Sequence, residues 1–212
     1  MNAHWHWPSE TSLCLSLPPP PDALTQRRLL AMAAELRGTV GLLELVPGLH
    51  NLTLFADPAR LPPAELEALA RAAWRRARPW REALRERRLR VHYDGPDLAQ
   101  AAAHAGLSPA RFVEAHAAPR YEVACLGFLP GFAYLLGLPT ELAQPRLATP
   151  RSLVPAGAVA IGGQQTGVYP QASPGGWKLI GRVDVQVQPL FDPAADPPAW
   201  LLPGDALRFE PA

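Results

Sequence analysis

Only two cysteines, Cys14 and Cys125, occur in this 212-residue chain. They lie far apart with no C-x-x-C, which excludes a disulfide framework and a structural zinc site built from several cysteines. Two free thiols suit a reducing compartment. Lysine is scarcer still, with Lys178 alone beside 19 arginines. No sign of charge dominates: 20 Lys plus Arg against 19 Asp plus Glu leaves a net +1. That balance argues against a chain built mainly to hold a polyphosphate backbone. Long hydrophobic runs are missing too. The longest, Val123–Pro139, is 17 residues cut by Gly127, Pro130, Gly131 and Gly137. It falls short of the ~18–20 residues a spanning helix needs and reads as buried core. The opening residues, Met1 to Pro8, carry neither a basic stretch nor an apolar one, so no secretory signal is expected and the cytoplasm is the expected location. No G-x-x-x-x-G-K-[ST] phosphate loop is present. The nearest stretch, Gly162 to Gly167, lacks lysine and reads as a tight β-turn.

Proline, by contrast, is abundant at 26 residues, and hydrophobic residues make up 48%. This is a globular composition of many short elements punctuated by turns. The charge is unevenly spread. Residues 71–90 hold nine arginines against Glu82 and Glu86, a local +7 that leaves about −6 elsewhere. A solvated helix face explains this better than a nucleic-acid patch, because Trp74 and Trp80 are the only aromatics interleaved with it.

The pattern over the first ninety-odd residues predicts a strand at 11–17, a helix from Asp22 to Arg37 with Gly38 after it, and strands at 39–46 and 52–56. A helix from Pro63 to Arg78 and a strand at 89–93 follow. The order is β-α-β-β-α-β, that of a ferredoxin-like α+β domain. Two short helices come next, Asp97–Ala105 and Ser108–His116, with Asp97 and Ser108 as N-cap candidates and Pro109 in the first turn. From Arg120 the texture changes to short apolar pieces cut by Gly and Pro, with no helix of three turns, which predicts a β-barrel or sandwich. The division expected is 1–95, a connector 96–119, and 120–212.

The second half carries an ordered chain of motifs. They include Gly127-Phe-Leu-Pro-Gly-Phe-Ala-Tyr134, Pro145-Arg146, Thr149-Pro-Arg151, Val154-Pro-Ala-Gly157 and Gly163-Gln-Gln-Thr-Gly-Val-Tyr-Pro170. Ser173-Pro-Gly-Gly-Trp177, Leu179-Ile-Gly-Arg182, Leu190-Phe-Asp192 and Pro203-Gly-Asp205 complete it. The set resembles the family of bacterial 5-oxoprolinase B subunits (PxpB), also called KipI and allophanate hydrolase subunit 1. The resemblance implies a small α/β domain followed by a cyclophilin-like barrel. It implies that the chain works with a C-type (KipA-like) and an A-type subunit to open 5-oxo-L-proline to L-glutamate with ATP and Mg, and is inactive alone. The alternative it carries is a KipI-like module that inhibits a sensor histidine kinase.

A lactam carbonyl is a poor electrophile, so such chemistry needs cations for phosphoryl oxygens, a donor for the oxyanion and a base for water. Arg151 and Arg182 are the cationic candidates, although Arg151 would serve equally to tie a loop to a carboxylate. His116 is the candidate base, or else a structural helix-end histidine. Gln165 is a carbonyl donor or a turn residue. Phe128, Phe132, Tyr134, Tyr169 and Trp177 are pocket-wall or core aromatics. No metal ligand set is evident: His104 and His116 have no metal spacing, and His4 and His6 sit at an end expected to fray. Cys125 reads as buried and inert.

Overall fold

The computed structural model describes residues 3–80 and 85–212. Arg81 and Glu82 of the arginine-rich segment lie outside the described residues. Contacts divide the chain into two compact units, residues 1–82 and 83–212.

In the first unit, β1 (His4–Ser9) and β2 (Ser12–Ser16) form a hairpin, followed by α1 (Ala23–Leu36), β3 (Leu42–Gly48), β4 (Asn51–Ala56) and α2 (Pro63–Arg76). The sheet order is β1-β2-β4-β3, antiparallel throughout. Strict alternation on β4 buries Leu52, Leu54 and Ala56, which join Leu13 and Leu15 of β2 beneath the helices. Both helices present apolar residues at three- and four-residue spacing: Leu29, Met32, Ala33 and Leu36 on α1, and Leu66, Ala70, Ala73 and Trp74 on α2. Asp22 caps α1 by accepting from the Thr25 amide at 2.8 Å. The end of α2 is answered from α1. The Arg28 guanidinium stacks over Trp74 at 3.8 Å and donates to the Trp74 and Ala77 carbonyls at 2.7 and 3.1 Å.

This arrangement differs from the expected β-α-β-β-α-β in one exchange. The place beside β2 that the last strand of that pattern would take is filled by β1, at an end expected to fray. The segment expected as that last strand is β5 (Glu86–Val91), which belongs to the sheet of the second unit. A tight local turn favours the hairpin partner, with the Ser9 and Ser12 hydroxyls 2.7 Å apart, while β5 finds six parallel pairings with β13 (Ala206–Pro211).

After β5 the second unit runs through α3 (Leu98–His104), α4 (Pro109–Ala117), β6 (Tyr121–Leu126), β7 (Ala133–Leu136) and a short 3-10 turn (Thr140–Leu142). Then come β8 (Arg151–Val154), β9 (Ala158–Gly162), β10 (Gln165–Val168), β11 (Ser173–Gly175), β12 (Lys178–Arg182) and β13. Seven strands form one sheet in the order β12-β9-β10-β7-β6-β13-β5. His92, just after β5, exchanges two 2.9 Å backbone hydrogen bonds with Arg182 of β12, so the two edges meet and the barrel is nearly closed. Inside lie Val91, Tyr121, Leu135, Ile161, Ile180 and Phe209, with Ala101, Ala102 and Phe112 of the two helices in the same core. The apolar run from Val123 supplies β6 and β7, and residues 145–212 contain no helix. The stretch from Gly162 is the β9–β10 hairpin, with Gly162 opposite Gln165 and Gly163 at φ +62° in the turn.

The fully buried strand β9 explains where the site lies. Val159 and Ile161 face the barrel interior, while Ala158 and Ala160 pack outward with Val154, Tyr169, Trp177 and Leu179. The outward cluster is roofed by the separate β8–β11 pair.

Candidate functional site

Aromatic residues gather on this outer wall of the barrel. Phe132, at the end of the β6–β7 turn, sits among Tyr134, Tyr169 and Trp177 at centroid distances of 5.1, 5.3 and 5.5 Å, all edge to face. Phe128 meets Phe132 and Tyr169 at 5.6 and 6.1 Å in the same manner. Such perpendicular pairs suit the ring quadrupoles. Phe128 is nevertheless 59% exposed and adopts φ +67°, a conformation that disfavours a bulky side chain. The turn Gly127–Phe132 holds it there through the bonds Gly127 N to Phe132 O and Phe132 N to Leu129 O, 3.1 and 3.0 Å. Glycine leaves room for the rings elsewhere: a Cβ on Gly162 would lie 2.4 Å from the Trp177 ring, and one on Gly175 2.4 Å from the Tyr169 hydroxyl.

These rings line a pocket of about 170 Å³ together with Arg146, Leu147, Pro150, Gly175 and Gly176. Burial raises the proton affinity of both phenols, Tyr134 and Tyr169. At Tyr169 a hydrogen bond from the Trp177 backbone opposes the rise, Tyr134 adds to it, and the Arg146 and Arg151 cations oppose it; at Tyr134 the neighbouring Cys125 adds to the rise and Arg146 opposes it.

Five of the six residues expected to contact substrate, Phe128, Phe132, Tyr134, Tyr169 and Trp177, are therefore brought together. Gln165 is not in the lining. It lies opposite Gly162, whose Cβ direction meets Trp177, so it shares that face of the sheet, and its amide nitrogen is buried with no hydrogen-bond partner among the described residues.

The three residues expected to do chemistry are not in the lining. Arg151 donates to Asp97 at 2.7 Å and to the Trp177 carbonyl at 3.4 Å. The other Asp97 oxygen accepts the Leu179 amide at 2.7 Å, so this buried carboxylate ties the lead-in of α3 to β8 and β12 instead of capping the helix. Arg182 pairs with Asp94 at 2.9 Å, both more than half exposed, beside a separate depression of about 150 Å³ lined by Gly95, Pro96, Pro155 and Gly181.

His116 is sealed in the barrel core at 0% exposure. Thr166 spends its hydroxyl proton on the Ala160 carbonyl at 3.0 Å, so it accepts from His116 Nε2–H at 2.9 Å. Nδ1 is then the bare nitrogen and accepts the Tyr93 hydroxyl at 2.8 Å. Burial holds the ring neutral, with its pKa pushed down to about 3. With both nitrogens engaged, the expected base has no open position for water, and a ring held neutral does not answer the helix dipole as the other reading required. Cys125 is likewise buried, its thiol pushed up to about 11.

Sequence reasoning did not single out Arg146 as a site residue. It stood within the Pro145-Arg146 motif, in a loop whose position over the aromatic wall no local pattern encodes. It is exposed and has no carboxylate within ion-pair distance among the described residues.

The carboxyltransferase-domain family, subdomains C and D, matches residues 3–201. The chain belongs to this family. Its relatives include proteins named as the B subunit of 5-oxoprolinase. The one from Escherichia coli O157:H7 is 45% identical over 95% of this chain and 93% of that protein. The one from Haemophilus influenzae is 41% identical over 95% and 94%. These place the chain among the 5-oxoprolinase B subunits of the carboxyltransferase-domain family. The solved protein TTHA0988 superposes with a TM-score of 0.82 at 38% identity, over 95% of this chain. This chain spans 40% of the length of that one.

For the metal that the resemblance implies, the described residues offer no set of ligands. No group of three or more His, Cys, Asp or Glu is placed to hold a metal ion among them. The glycine-rich stretch from Gly162 to Gly167 is a hairpin turn between two strands, with no helix N-terminus behind it to face phosphate. No helix among the described residues is long and apolar enough to cross a membrane.

Proposed function

We propose that this chain is the B subunit of a cytoplasmic 5-oxoprolinase complex, which with ATP and Mg opens 5-oxo-L-proline to L-glutamate. Its partners in this reading are an A-type and a C-type (KipA-like) subunit, and the chain alone is inactive. Identity of 45% and 41% over nearly the full length of proteins named as 5-oxoprolinase B subunits supports the assignment. The observation that carries it is the pocket. At about 170 Å³ it is smaller than the ~300–1,000 Å³ of sites for drug-sized ligands, and it suits a small ring compound instead of a nucleotide. The nucleotide and metal then fall to the partners. In architectural terms the same reading takes the second unit as a cyclophilin-like barrel and the first as a ferredoxin-like unit with one strand exchanged.

What this chain's own residues would do is bind and orient. The aromatic wall excludes water and holds the ring, and the Tyr134 and Tyr169 hydroxyls offer hydrogen bonds in its lining. The test is reconstitution with A-type and C-type subunits, following 5-oxoproline-dependent ATP hydrolysis and glutamate release. Turnover in the assembly and none from the chain alone is expected. An assembled, folded complex without turnover overturns the reading, and inhibition of a sensor histidine kinase by the chain would replace it.

A further inference from the structure

Three arginines stand in the loops and strand ends around the outer wall of the barrel, and they differ in what neutralises them. Arg151 is paired with the buried Asp97 at 2.7 Å, and Arg182 with Asp94 at 2.9 Å. Arg146 has no such partner among the described residues, and it is the one of the three that lines the aromatic pocket. The pocket's other polar atoms belong mostly to two phenols and to backbone. No acidic side chain among the described residues lines it, so none of them competes for the guanidinium or repels an anion there.

We infer that this pocket recognises a small ring acid through its carboxylate, with Arg146 as the anchor and the aromatic edges around Phe132 gripping the ring. A guanidinium matches a carboxylate with two parallel N–H···O bonds, a geometry lysine cannot copy. Because Arg146 is exposed, its charge is hydrated before binding and is partly dried when a ligand covers it, which strengthens the pair. The site then discriminates by charge: a neutral amide of the same shape keeps the ring contacts and loses the anchor. The inference rests on the proposed function for the identity of the ring compound, but not for the choice of an acid.

Two measurements on the full chain and the reconstituted complex test it. First, titration calorimetry of the full chain compares 5-oxo-L-proline with its neutral carboxamide. The acid should bind at least tenfold more tightly, and Arg146→Ala should erase that preference while Arg146→Lys keeps part of it. Second, in the complex, Arg146→Ala should raise KM for 5-oxo-L-proline at least tenfold with kcat changed much less, the mark of lost ground-state binding. Arg146 is exposed and pairs with no carboxylate among the described residues, so an unchanged melting temperature is the control. If the wild-type complex has no turnover but the chain keeps an acid-over-amide preference that Arg146→Ala removes, the proposed function falls and the inference stands. If the complex turns over and Arg146→Ala leaves KM unchanged, the inference is overturned and the proposed function stands. Equal binding of acid and amide, or none of either, by the full chain also overturns it.

Discussion

Acid should destabilise the second unit through one residue, and the size of the effect follows from the buried network. His116 is neutral in the fold, its pKa lowered to about 3 by burial, and its tautomer is fixed by Thr166 and Tyr93. In the unfolded chain an imidazole titrates near 6.5. Between these two values the unfolded state binds a proton that the folded state refuses. Stability contributed by the neutral ring is therefore complete above about pH 6.5 and is lost as the pH falls towards about 3. Each unit in that window costs about 1.4 kcal/mol, so at pH 5 the loss is about 2 kcal/mol. The assay is urea unfolding at pH values from 8 to 5, compared with His116→Phe, or with His116→Gln if the larger ring overpacks the site. Either variant is less stable at pH 8, because the Tyr93 hydroxyl or the Thr166 oxygen loses its partner, at a cost of about 1–3 kcal/mol. Either should lack the additional slope, so the curves of variant and wild type converge as the pH falls. Parallel curves from pH 8 to 5 would refute the reasoning.

Asp97→Ala leaves the Arg151 guanidinium and the Leu179 amide without their acceptor, and should cost about 3 kcal/mol, near the lower bound for a broken buried pair because Arg151 is 29% exposed; chemical denaturation measures it. Asp205→Ala should cost at least as much, since the fully buried Asp205 carboxylate receives Arg85 through two donors and the Leu202 amide at 2.9 Å. Gly162→Ala must push Trp177 aside, with a loss of about 1–3 kcal/mol and weaker ligand binding in the same calorimetric assay. Arg182→Ala removes only an exposed pair and should shift stability by less than about 1 kcal/mol while leaving KM in the complex unchanged.

The helices of both units were legible because their apolar spacing and end signals agree: Asp22, Ser108 and the first-turn prolines 63 and 109 stand where the sequence places them. The strand β1 was not, because it is an edge strand with five of its six residues exposed, so burial imposes no alternation on it. The strand at 86–91 was legible as a strand but not as a member of its sheet. Pairing partners 120 residues away leave no local trace. The aromatic wall was readable from the clustering of rings and Gly-Pro turns. The fates of the charged candidates were not, because Asp94 and Asp97, which claim Arg182 and Arg151, reach them only through tertiary structure.

The position of β13 also sets an order of events during synthesis. It lies between β6 and β5 and pairs residues 206–211 with 86–91. The strands and helices described in the first unit, by contrast, are complete by residue 76. The first unit can therefore finish its sheet while the ribosome is still far from the last strand. The second must wait for its closing strand, holding the exposed edges of β5 and β6 apart until then. A long loop must close before those pairings reward it. At a synthesis rate of about 5–20 residues per second, that leaves several seconds in which two unprotected sheet edges coexist, the interval in which a chaperone or a partner protein has something to hold.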